Sequence, residues 1–238
     1  NIDFTLGLLH RALQRRDDLR VIISSATMNP RAFQDYFGKT VGDVPLVSIQ
    51  ARKHPVDIRY DAMHEDDGQT HEAAATHICR FHRKHPVVHG GEEPGHVLVF
   101  MPGEAAIRNT VDAVHARLRG RDDLELLPLY GRLPREEQER IFEPFPGKRK
   151  VVIATNIAET SITIPNVRFV VDSGLAKVPR VSTVTGITTL REEGISRASA
   201  DQRAGRAGRT APGTAVWLYT KKDLRGRPEF TDEEVLRL

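Results

Sequence analysis

Two short stretches carry residue types that could act on an anion. The first is Gln202-Arg203-Ala204-Gly205-Arg206-Ala207-Gly208-Arg209. Arg206 and Arg209 stand three apart, on one face if a helix runs through them. The Gly and Ala between them let the backbone approach a partner closely. A guanidinium pair of this kind can stabilise charge spreading over a transferring phosphoryl group. A solvated basic helix end would not require the Gly/Ala spacing. The second stretch, Ala154-Thr155-Asn156-Ile157-Ala158-Glu159-Thr160-Ser161, packs five polar side chains into the seven residues from Thr155. Its hydroxyls, amide and backbone N–H groups suit contacts to a phosphate backbone that read no bases. A helix cap with ordinary turn chemistry explains the same residues equally well.

Charge supports the first stretch. From Lys177 to Arg209 there are seven Lys or Arg against three acids, so this region is expected to meet an anion or to form a solvated basic face. Ser24-Ser25-Ala26-Thr27 follows an apolar run, where small hydroxyl residues can bond a phosphate or serve as a plain loop.

Two other candidates fail on inspection. Phe37-Gly38-Lys39-Thr40 contains Gly-Lys-Thr, but Phe33 stands where the first Gly of a phosphate-cradling P-loop belongs. The segment also closes a helical pattern instead of opening one. Seven His lie between His64 and His96, and His82-x-x-His85 has helical ligand spacing. The surrounding polar, Gly/Pro-rich sequence reads as a solvated face and not as a metal centre.

The elements that must position these residues follow from periodicity. Apolar, β-branched runs predict strands at Leu19–Ile23, Leu46–Ile49, Val56–Tyr60, Val97–Met101, Glu125–Leu129, Lys150–Thr155, Arg168–Val171 and Thr214–Tyr219. Helical spacing predicts helices from Asn29-Pro30 to Gly38, Gln69 to Lys84, Glu104 to Leu118, Arg135 to Phe142 and Ala198 to Ala207. Extended stretches near 176–181 and 187–190 flank Thr185-Gly186 and read as a hairpin. Strand–helix alternation with short loops indicates a doubly wound parallel α/β sheet. Ligands in such sheets sit at the strands' carboxyl ends, here the loops after Met101, Leu129, Ala154 and Val171.

The 238 residues suffice for a substantial core, with 39% hydrophobic content and a net charge of +3. A single Cys79 excludes a disulfide framework and cysteine-based metal sites, and fits a reducing cytosol. No apolar run approaches the length of a membrane span.

Taken in order, these residues resemble the superfamily 2 helicases of the DEAH class, in wording closest to the bacterial HrpA and HrpB branch. Asn1 to Leu9 is similar to the stretch after that family's Asp-Glu-Ala-His box. Ser25-Ala26-Thr27 resembles motif III, Val99 to Glu104 motif IV, Ala154 to Thr163 motif V and Gln202 to Arg209 motif VI. Leu129 to Phe142 resembles the family stretch that follows motif IV, and Arg227 to Arg237 the lead into a winged-helix domain. The resemblance covers nearly the whole chain but lacks the family's P-loop and Asp-Glu-Ala-His box. It therefore implies a fragment of an enzyme inactive by itself. Residues 1–45 would be the tail of a first RecA-like domain, 46–222 a second RecA-like domain with a hairpin insertion, and 223–238 the winged-helix lead-in.

The resemblance also implies roles. Arg206 and Arg209 would be arginine fingers on ATP held by the other lobe, with Gln202 beside the triphosphate and Phe142 stacking on the base. Other nucleoside triphosphates would stack as well. Mg²⁺ would be held mainly by the absent lobe. Thr155, Asn156, Ser161 and Thr163 would lie along single-stranded RNA, and Ser25, Ala26 and Thr27 would couple hydrolysis to domain movement. The hairpin between about Ala176 and Leu190 would separate strands. A non-catalytic lobe that docks RNA or a protein is the alternative. It would not need Gln202, Arg206 and Arg209 together. Hydroxyl and amide contacts to phosphates leave RNA and DNA undistinguished.

Overall fold

The computed structural model describes residues 2–24, 30–48, 54–62, 69–88, 94–118, 120–160, 162–181 and 187–231. Six strands form one wholly parallel sheet: β1 (Val56–Tyr60), β2 (His96–Phe100), β3 (Leu124–Leu129), β4 (Arg149–Ala154), β5 (Val167–Asp172) and β8 (Gly213–Trp217). Their spatial order is β1-β8-β5-β2-β4-β3, with β2 near the centre and β1 and β3 at the edges. Every residue of β2 and β4 is buried. Parallel strands covered on both faces read as continuous apolar runs, and these do after His96 in β2 and after Arg149-Lys150 in β4.

Alternate residues feed two cores. Val97 and Val99 of β2, with Val151, Ile153 and Val171, meet helices α3 (Thr70–Lys84) and α4 (Glu104–Arg117) on one face. Leu98 and Phe100, with Val152, Ala154, Val170 and Trp217, meet α6 (Ile157–Thr160) and α7 (Arg197–Ala204) on the other. This is the RecA-like doubly wound sheet expected from the alternation. A separate antiparallel hairpin, β6 (Leu175–Val181) and β7 (Thr188–Gly194), leaves the carboxyl end of β5. The expected turn at Thr185-Gly186 lies outside the described residues.

Several boundaries differ for physical reasons. The helix expected over Arg135–Phe142 is α5 (Arg135–Glu139) followed by a 3-10 turn at Arg140–Phe142. Pro144 drives Glu143 into extended backbone and stops it. The last helix likewise tightens after Ala204 into a 3-10 turn, Gly205–Gly208. The helix expected to stop at Gly38 runs on as α2 (Pro30–Val41) and ends at Gly42, whose φ of +79° closes it without a Cβ penalty. Its expected Asn29 cap is outside the described residues. Helix α1 (Ile2–Leu13) packs on α2, and α8 (Lys221–Gly226) opens with the Thr220 hydroxyl accepting from Asp223 N–H.

Two expected strands do not form. Leu19–Ile23 is irregular with Ile22 94% exposed, and Leu46 to Ser48 is irregular too. A strand is defined by its ladder, and among the described residues neither run has a neighbouring strand. No helix among the described residues is long and apolar enough to cross a membrane.

Candidate functional site

All six parallel strands end on one edge, and the polar stretches meet there. Ala154 closes β4, and Thr155 turns the chain with its N–H donating to the Leu129 carbonyl at 3.1 Å. Asn156 then caps the short α6 with its carbonyl, which accepts Glu159 N–H at 3.0 Å. Buried Ala158 anchors this turn, leaving Asn156 and Thr163 exposed. Ser161 lies outside the described residues, as do Ser25, Ala26 and Thr27.

Arg203 of α7, Arg206 of its 3-10 extension and Arg209 just beyond it have different surroundings. Arg203 is 1% exposed. Its Nε donates to Glu159 Oε2 at 2.9 Å, and its Nη1 donates to Asp172 Oδ1 at 2.8 Å and to the Leu175 carbonyl at 3.2 Å. The guanidinium lies 4.8 Å from the Phe100 ring centroid. Burial alone would lower its pKa, but Asp172 and then Glu159 outweigh burial and raise it. Arg206 is also buried, but faces carbonyls. Its Nη1 donates to Ile162 O at 2.8 Å and its Nη2 donates to Glu159 O. Without a carboxylate bond, burial and then neighbouring Arg209 hold its pKa down at about 10, with Glu159 opposing. Arg209 is exposed, and its Nη1 donates to Thr163 Oγ1 at 2.9 Å.

Asp172 is the fixed point beneath them. It is fully buried at the carboxyl end of β5. Gly174 N–H donates to its Oδ1 at 2.9 Å, and the Tyr219 hydroxyl donates to its Oδ2 at 3.2 Å. Burial, then the Asp172 charge, pushes the Tyr219 pKa up. The Arg227 guanidinium covers the Tyr219 ring at 4.3 Å and donates to Gly174 O at 2.7 Å.

The close approach expected of the small residues is made within the chain itself. A Cβ on Gly208 would sit 2.6 Å from the His54 carbonyl, which precedes β1. Part of the basic excess is also neutralised internally. Arg180 pairs with Glu193 across the hairpin at 2.7 Å, and Arg203 takes two acids.

The remaining sequence candidates separate. Phe142 is 54% exposed on the turn after α5, held by buried Ile141, with no ring or cation partner among the described residues. Gln202 is half-buried beside the arginines. Its Oε1 and the Arg206 Nε are buried without a hydrogen-bond partner among the described residues. The Gly38-Lys39-Thr40 segment lies inside α2 and forms no phosphate loop.

The histidine reading needs correction, because His77, His82 and His96 are buried and form no solvated face. His82 Nε2 lies 3.0 Å from Asp123 Oδ2, and its Nδ1 lies 3.2 Å from Arg149 Nη1. An arginine can only donate, so Nδ1 accepts and the ring is neutral with its proton on Nε2. Burial is the main cause of its lowered pKa, with Asp123 opposing and Arg149 adding to it.

Residues 77–211 match the helicase conserved C-terminal domain, more than half of the chain. The chain belongs to that helicase C-terminal domain family. Over its whole length it is 42% identical to the ATP-dependent RNA helicase HrpA of Escherichia coli (strain K12), of which it spans 17%. It is 39% identical to the ATP-dependent RNA helicase HrpA of Borreliella burgdorferi, of which it spans 28%. The crystal structure of the E. coli DExH-box NTPase HrpB superposes with a TM-score of 0.83 at 35% identity. That match covers 100% of this chain and 28% of the other.

This helicase C-terminal domain holds a linked quartet that the motif reading left unassigned: buried Asp172, Arg203 and Tyr219, and half-buried Glu159. One signal was available. Asp172 directly follows the apolar run Phe169–Val171, and a carboxylate buried there needs a cation or hydrogen bonds.

Proposed function

We propose that the chain is the C-terminal RecA-like half of an ATP-dependent RNA helicase. In this reading, residues 1–45 belong to a preceding RecA-like lobe, 46–222 form the second lobe and 223–238 lead to a winged-helix region. The longer protein hydrolyses nucleoside triphosphate as the lobes close on single-stranded RNA in the cytoplasm. Arg206 and Arg209 stabilise charge on the transferring phosphoryl group, Gln202 lies beside the triphosphate, and Phe142 stacks on the base. Thr155, Asn156, Ser161 and Thr163 meet RNA phosphates, Ser25 to Thr27 couple the lobes, and the β6–β7 hairpin separates strands.

One observation carries the proposal. Arg206 and Arg209 both bond the stretch that follows α6: Arg206 donates to the Glu159 and Ile162 carbonyls, and Arg209 to Thr163, one of the expected RNA contacts. A clamp for phosphoryl charge and a phosphate-backbone surface thus share one element at the ligand-binding edge of the sheet. The residues fit an anionic ligand. Arg209 presents an exposed guanidinium, and the buried Arg206 Nε is a donor with no partner among the described residues. In this reading Mg²⁺ is held mainly by the preceding lobe.

The test is made in the full-length protein. Arg206→Ala and Arg209→Ala each abolish ATPase while RNA binding survives. Near wild-type ATPase in both would remove the clamp. It would favour the alternative, a non-catalytic RNA- or protein-binding lobe, which the engagement of Arg206 by two carbonyls also fits.

A further inference from the structure

We propose that Glu159 and Arg203 are positioning residues for Arg206, transmitting the fixed position of the β5 end to the arginine above it. The inference rests on the reading of Arg206 as a clamp for phosphoryl charge. Arg206 is oriented by two carbonyls on one turn, those of Glu159 and Ile162. A carbonyl orients a guanidinium only as well as its own backbone is held. Here the Glu159 carboxylate does the holding. Ser199 Oγ donates to its Oε1 at 2.5 Å, and Arg203 Nε donates to its Oε2 at 2.9 Å. Arg203 is tied in turn to Asp172, which is buried at the end of a central strand. A buried guanidinium that bridges two carboxylates is a stiff link, because both its planarity and its donors are used.

The chain of bonds Asp172–Arg203–Glu159 therefore fixes the turn, and the turn fixes Arg206. Neither Arg203 nor Glu159 needs to touch a ligand. Arg203 has no role as a third finger, since its Nε and Nη1 are committed to two carboxylates. The same sequence run thus holds one arginine spent on carboxylates, one set on carbonyls with its Nε unpaired among the described residues, and one exposed.

The effect of Glu159→Gln is read in two ways. In the 238-residue chain, the ¹⁵N guanidinium signal of Arg206, assigned by its loss in Arg206→Lys, is restrained. In Glu159→Gln it averages by free rotation. In the full-length protein, Glu159→Gln lowers kcat by about tenfold or more at saturating RNA, with KM for ATP nearly unchanged, because small misplacement of a catalytic group costs on this scale. Ser199→Ala, which deletes one hydrogen bond to Glu159, lowers kcat by about fivefold and decides the matter if Glu159→Gln does not fold. Adding Glu159→Gln to Arg206→Lys produces little further loss, since it acts through Arg206.

An unaltered Arg206 signal, wild-type kcat in both variants, or fully additive losses overturns the positioning role. If Arg206→Ala itself leaves ATPase intact, the clamp reading fails instead, and the NMR result alone decides the positioning.

Discussion

Replacing Arg203 by Met removes the guanidinium and keeps most of the volume. Two carboxylates lose their cation at once: Asp172, fully buried, and Glu159, half-buried. Breaking a buried ion pair from one side costs about 3–5 kcal/mol, because the remaining charge stays desolvated. Asp172 retains the Gly174 N–H and the Tyr219 hydroxyl, which holds the loss within that range. For a chain of this size each kcal/mol shifts Tm by about 2–4 °C, so the expected fall is roughly 6–20 °C. Thermal unfolding followed by circular dichroism measures it. Arg209→Met is the control. That side chain is exposed with one bond to Thr163, and its loss should stay within about 0.5 kcal/mol. A fall under about 2 °C in Arg203→Met would show that Asp172 and Glu159 do not depend on Arg203, and the argument from buried charge would be wrong.

Three further outcomes are expected. Gly174→Ala destabilises by about 2–4 kcal/mol in urea unfolding, since φ is +73° and the new Cβ would sit 2.4 Å from a Tyr219 ring carbon; a neutral result would contradict that contact. His82, whose folded pKa is depressed below 6.5, contributes stability that is complete above pH 6.5 and is lost as pH falls through 6.5 toward the folded value. In His82→Gln, whose amide can still donate to Asp123 and accept from Arg149, the fall in Tm between neutral and mildly acidic pH is smaller; equal slopes would exclude His82 as its source. Phe142→Ala raises the KM of the full-length protein for every nucleoside triphosphate that can stack, and an unchanged KM removes Phe142 from the base site.

Much of the fold was legible because parallel strands covered on both faces must be apolar throughout. Val97–Phe100 and Val151–Ala154 show that pattern, and both are central. Leu19–Ile23 has the same composition and is not a strand. Local sequence encodes the preference for extended backbone, whereas the ladder needs a neighbour. The His-rich segment misled for a related reason. Its polarity looks like solvation, but α3 lies on the sheet, and Asp123 and Arg149 reach His82 from residues distant in sequence.

The sequence by itself determined that this is a doubly wound α/β chain with an arginine-rich segment near its end. Periodicity and residue type are local properties, and they survive in any context. Which partners each arginine meets was decided by tertiary structure alone. Arg203, Arg206 and Arg209 are chemically identical at equal spacing. Only the packing of α7 beside β5 brings one of them to two carboxylates, sets the next on two carbonyls and leaves the last at the surface.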